Sequence, residues 1–262
     1  MGELRWAVTD GPDGTAAVAL PDDAAAARLL AEQAPGGFWC AREAGGCGGR
    51  LAVDADGARP AFVHAGTARC ALVRREGAAE RGYEPLRYRR PLVAWLAGQG
   101  LPPRVSTLPG RTGLHVALPG AVLEVQLAPV SDLAWRARDD RLHREARSVT
   151  WLHGPGADLA AATEAGVRGA ALVLRRQNRG LLIGVRDAGG GVRWVRASAC
   201  RVGPDGVEAP GLAEARAAHG RRAAARQDAA RRAARQAARW SSRTGAVPWD
   251  VRTGTLPFPA AG

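Results

Sequence analysis

"LPGAVLEVQLAPVS", Leu118–Ser131, decides how the middle of this chain folds. Pro119-Gly120 is a turn dipeptide between two apolar runs, and such a pair of runs reads as a β-hairpin. Folding the chain symmetrically about that turn sets Ala117 against Val122, His115 against Glu124 and Gly113 against Gln126. Facing residues in a hairpin have Cβ atoms roughly 5 Å apart, and side chains alternate between the two faces. His115, Glu124 and Gln126 therefore share one face, while Leu114, Val116, Leu123 and Val125 take the other. Three polar groups converge where a strand pair should be packing. Two readings stand: a polar face covered by solvent, or a site.

The pattern extends outward in both directions. Strands are expected near 104–107, 113–118 and 121–127, then a helix from Ser131 to about Arg147, then the strand "SVTWLHG". "AALVLRR", "GLLIGVR" and "GVRWVRA" read as three more strands, the last two joined by an Asp-Ala-Gly-Gly-Gly turn. Upstream, "RGYEPLRYRRPLVAWLAGQG" predicts a helix from about Arg90, with Pro91 in its first turn and Gly98 or Gly100 ending it. "LRWAVTD" and "TAAVAL" predict a small hairpin, and "DDAAAARLLAEQ" a short helix. The fold class is α/β (α+β). The expected parts are an N-terminal hairpin and helix at 1–36, a cysteine segment at 37–80 and a core at 81–155. A β-rich extension at 156–210, an Ala/Arg-rich helix at 211–240 and a loose tail at 241–262 follow.

Cys40, Cys47, His64 and Cys70 form a Cys-x6-Cys-x16-His-x5-Cys series. Four soft ligands suit tetrahedral zinc, and four protein ligands close its shell, which makes such a site structural rather than catalytic. A short β-rich segment buries little apolar surface, so a metal would stabilise it directly. The other reading is free core cysteines beside an ordinary histidine. Cys200 stands far from the rest and reads as a small buried residue.

The chain of 262 residues has a formal net charge of +12, and its 37 basic residues are all arginine. Such a balance points to a polyanionic partner, nucleic acid first. Between Leu212 and Trp240, eight Arg stand against Glu214 and Asp228, which is +6, half of the total. Arg221, Arg222, Arg226, Arg231, Arg232 and Arg235 are its candidate phosphate contacts. A solvated helix rich in arginine through codon bias is the competing reading. No uninterrupted apolar run reaches membrane-spanning length and no secretory h-region opens the sequence, so a cytoplasmic protein without membrane insertion is expected.

"AVLEVQLAPVSDLAWRARDDRL" followed by "SVTWLHG" resembles the competence protein CoiA-like nuclease family. The matching residues are Glu124 and Gln126, then Pro129-Val130-Ser131, then Arg138, then Trp151-Leu152-His153-Gly154. The cysteine segment is similar to that family's zinc-binding N-terminal part, and the likeness covers about residues 1–155. It implies a restriction-endonuclease-like core, in which an acid facing Glu-x-Lys or Glu-x-Gln holds Mg²⁺ or Mn²⁺ for phosphodiester hydrolysis. It also implies a role in processing DNA such as the uptake and recombination of transforming DNA. By this resemblance His115, Glu124, Gln126 and Glu84 are the candidate catalytic residues, and Arg138 contacts nucleic acid. The chain departs from the family where the metal-binding Asp falls at His115, where Tyr88 replaces a helix-borne His, and where Leu142 replaces a Tyr. An imidazole at 115 removes a hard, charged ligand. Three readings stay open: a metal-dependent nuclease weakened at one ligand, a non-catalytic DNA-binding protein, and a zinc-stabilised interaction module.

Overall fold

The computed structural model describes residues 4–66, 70–178 and 180–244. The chain divides into two compact units, Met1–Arg216 and Ala217–Gly262.

The first unit opens with β1 (Trp6–Val8) and β2 (Ala17–Ala19), the expected hairpin, then α1 (Ala24–Glu32), whose first turn is capped by the Asp23 carboxylate accepting from the Ala26 amide. Next come β3 (Phe38–Trp39), β4 (Arg50–Asp54), β5 (Ala61–His64) and α2 (Ala71–Arg74). These strands make a sheet of order β2-β1-β3-β4-β5. Leu4, Phe38, Leu51 and Phe62 pack its core together with the buried Cys40 and Cys70.

α3 runs from Ala78 to Ala97, a full three turns earlier than the expected start near Arg90, and carries both Pro85 and Pro91 inside it. Each proline removes one helical hydrogen bond. Burial outweighs that loss: Ala79, Gly82, Tyr83, Leu86 and Tyr88 all lie on its buried side, where a proline-based reading sees only a boundary.

The second sheet has the order β12-β11-β10-β9-β8-β7-β6. β6 (Arg104–Thr107), β7 (Gly113–Leu118) and β8 (Ala121–Gln126) form an antiparallel meander. α4 (Asp132–Glu145), capped by the Ser131 hydroxyl, leads to β9 (Ser148–His153), which pairs parallel to β8. α5 (Asp158–Arg168) then leads to β10 (Ala170–Gln177), parallel to β9, and β11 (Gly180–Asp187) and β12 (Val192–Arg196) complete the sheet as antiparallel partners. Residues 156–210, expected as a separate β-rich extension, thus hold the helix α5 and continue the core sheet. β13 (Arg201–Gly203) and β14 (Gly206–Glu208) pair with each other. α6 spans Leu212–Thr244. The expected loose tail falls from 245 onward outside the described residues.

The two faces of the large sheet bury different helices. Tyr88, Leu92 and Leu96 of α3 pack on Leu114, Val116, Leu123, Val125 and Leu152. On the opposite face, Trp135 and Leu142 of α4 and Ala160 of α5 pack around Trp151. The strand alternation therefore sends His115, Glu124 and Gln126 toward α4 and away from α3.

Candidate functional site: the hairpin carboxylate and the Cys3His cluster

The β7–β8 register sets His115 opposite Glu124 and Gly113 opposite Gln126, as the turn predicts. Glu124 is fully buried at 0% exposure, which for an acid demands partners. One oxygen, Oε1, meets the His115 Nδ1. The other, Oε2, lies 2.9 Å from Nη2 of Arg138, which reaches down from α4. That ion pair is close but poorly aligned, so Oε2 and the Arg138 Nε are both buried without a hydrogen bond. Gln126 turns its amide to the Ala128 carbonyl at 2.8 Å. A cavity of about 350 Å³ opens beside the group, lined by Thr112, Gln126, Trp135, Arg138, Arg141 and Trp151.

The candidate residues do not all meet here. Glu84 sits on α3, the helix covering the other face, and is paired with Arg87. Asp132, a further carboxylate of α4, accepts from the Thr163 hydroxyl at 2.5 Å. Arg138, expected to contact nucleic acid, lies beside Glu124 as its close countercharge. What remains at the hairpin is one carboxylate, one imidazole, one guanidinium and the neutral Gln126 amide. A hard divalent cation wants several oxygen ligands and negative charge, and this donor set does not fit one.

A second polar network, which sequence reasoning missed, lies alongside. His153 donates from Nε2 to Glu164 Oε2 at 2.7 Å, and Arg168 joins Glu164 at 3.0 Å to Asp139 at 2.5 Å. Asp139 also accepts from the Trp151 indole at 2.7 Å. Burial alone would lower the Arg168 pKa, but the two carboxylates outweigh it and hold it above the ordinary value. The network ties α4, α5 and β9 together. Its one sequence signal was the histidine within an apolar strand, "TWLHG".

The cysteine segment forms a compact cluster. The ligand atoms of Cys40, Cys47, His64 and Cys70 all lie within 4.8 Å of one another, with Cys40 Sγ 3.6 Å from Cys70 Sγ and Cys47 Sγ 3.2 Å from His64 Nε2. Tetrahedral zinc with Zn–S of about 2.3 Å separates its sulfurs by roughly 3.8 Å, so these residues could hold a metal such as zinc. Among the described residues no other group of three or more His, Cys, Asp or Glu side chains is placed to share an ion. A side chain at Gly46 would come within 2.4 Å of the Cys40 sulfur, which is why the turn ahead of Cys47 is glycine. Burial pushes the Cys40 thiol up. It also pushes Cys70 up, but there the amides of Leu72 and Val73 at the start of α2 and the neighbouring cysteines prevail and hold that thiol low. Burial lowers the His64 pKa, which keeps the imidazole neutral and available as a ligand.

Arg221, Arg222, Arg226, Arg231, Arg232 and Arg235 are all exposed on α6. Among the described residues no helix is long and apolar enough to cross a membrane. No family model, curated protein or solved structure matches the chain.

Proposed function

We propose that this chain is a nucleic-acid-binding protein on a CoiA-like, restriction-endonuclease-like core, and that its hairpin site no longer hydrolyses phosphodiesters. The observation that carries the binding is the run of exposed arginines on α6, which hold no large apolar stripe to bury and suit phosphate contacts without sequence reading. The order helix, three-stranded meander, helix and parallel strand, α3-β6-β7-β8-α4-β9, supports the core assignment. Glu124, held between His115 and Arg138, supports the loss of hydrolysis. Zinc in the Cys3His cluster would act as a structural cross-link.

One observation favours a second reading, a metal-dependent nuclease in which His115 is a working ligand: Glu124 Oε2 has no hydrogen bond and would be free for a metal if Arg138 swung away. Labelled DNA incubated with the purified protein and Mg²⁺ or Mn²⁺ separates the two. The proposal expects retention of DNA without cleavage by the parent, and Mg²⁺-dependent cleavage, if any, only in His115→Asp. Cleavage by the parent that disappears in Glu124→Ala overturns the non-hydrolytic reading in favour of the second.

A further inference from the structure

A cavity of about 490 Å³ lies between β2, α3 and β10. It adjoins the α3 side of the large sheet, whereas the hairpin carboxylate faces α4. Arg87, Arg90 and Arg176 converge on it from two elements, and Ala17, Leu86 and Ala94 are among its apolar walls. One carboxylate accompanies them, Glu84, already engaged by Arg87.

The arginines are held there at a cost. The Arg87 guanidinium is fixed over the Trp6 ring, 4.5 Å from its centroid. The Nε atoms of Arg87 and Arg176 are both shielded from solvent and have no hydrogen-bond acceptor. Burial, and then the charge of Arg87, lower the Arg176 pKa, against smaller opposing effects of Tyr88 and Glu84. Arg87 has Glu84, but among the described residues no ion pair holds Arg90 or Arg176, so like charges meet in a half-buried cleft with an incomplete electrostatic arrangement. An anion would complete it.

We infer that this cavity binds a phosphate monoester. Three guanidinium groups against Glu84 leave a charge of +2, which complements the charge of about −1.5 to −2 on a phosphomonoester at neutral pH better than the single charge of a carboxylate or phosphodiester. Guanidinium forks also match phosphate oxygens in geometry. The cavity is larger than a phosphate, and its apolar walls leave room for the esterified group. The phosphate can come from a free mononucleotide or from the end of a nucleic-acid strand. The inference does not rest on α6 binding nucleic acid.

The test is calorimetric titration of the full chain with 5′-AMP, beside adenosine. AMP is expected to bind one site, and adenosine not at all. Arg176→Gln and Arg90→Gln should each weaken AMP binding at least about tenfold, the loss expected for one charged hydrogen-bond partner. Both variants should melt no lower than the parent, since Arg90 is exposed and loss of Arg176 relieves repulsion. A variant with the six α6 arginines, Arg221 to Arg235, changed to Gln should bind AMP as the parent does. Equal binding of adenosine and AMP, parent-like affinity in both cavity variants, or loss of AMP binding in the α6 variant would each overturn the inference. Oligonucleotides of one sequence with 5′-phosphate or 5′-hydroxyl ends then assign the source. Tighter binding of the phosphorylated strand, reduced by Arg176→Gln, points to a strand end, and equal binding to a free nucleotide.

Discussion

At the scale of single residues, Glu124 shows how far a hairpin can be read. The Pro119-Gly120 turn and the alternation of side chains were enough to pair it with His115. Arg138 was legible as a matching residue but not as its countercharge, because a helix face gives no information on which strand residue a long side chain will reach. The pairing has an energetic consequence. Arg138→Met would leave a buried carboxylate with His115 as its one close partner, and Arg138 is itself mostly buried. Chemical denaturation should report a loss on the order of 2 kcal/mol, below the value for a fully buried pair because water reaches the guanidinium. Glu124→Gln in the Arg138→Met background should recover part of that loss, since the uncompensated charge is then gone. A parent-like midpoint in Arg138→Met would mean that the ion pair contributes nothing.

Elements were legible where local chemistry decides them and obscure where packing does. The cysteine spacing picked out four residues that do cluster, although the loop before Cys47 is longer than usual. Elemental analysis should return close to one zinc per chain, with Cys47→Ser losing it and Cys200→Ser keeping it. Burial lowers the His64 pKa below that of the unfolded chain, so protonation favours the unfolded form. The stability of the metal-free protein should therefore be full above about pH 6.5, the ordinary histidine value, and decline below it. Acidification should also release the metal. α3 hid its first three turns behind two prolines, and its real anchor is tertiary. The Tyr83 hydroxyl accepts from the Ala41 amide at 2.9 Å, and a Cβ at Gly82 would stand 2.2 Å from the Ala44 carbonyl oxygen. Gly82→Ala should consequently destabilise the fold and weaken zinc retention. Gly220→Ala, in α6 with nothing within 4 Å of the added Cβ, should stabilise its helix by about 0.5–1 kcal/mol. Melting curves followed by circular dichroism would show opposite shifts.

For the whole molecule, charge and the seven strands of the large sheet were readable, but β3, β4, β5, β13 and β14 were not, and the boundary at residue 155 was not a structural one. β10 lies parallel to β9 through α5, and the sheet runs on to β12. The helix was missed because "DLAAATEAGVRG" carries alanine where a stripe of large apolar residues would mark a buried face. Of the charge of +12, residues 217–262 of the second unit carry +7, nine Arg against Asp228 and Asp250. That distribution makes phosphate binding through α6 the central claim, and the dependence of DNA affinity on salt tests it most directly. Fluorescence anisotropy with a labelled duplex, read from low to moderate salt, should give a log–log slope that is linear and steep, with about 0.9 contributed per phosphate neutralised. Changing Arg221, Arg222, Arg226, Arg231, Arg232 and Arg235 to Gln should weaken binding and flatten that slope, with little change between DNA sequences. A parent that does not bind at low salt, or a variant whose slope matches the parent's, would contradict the account.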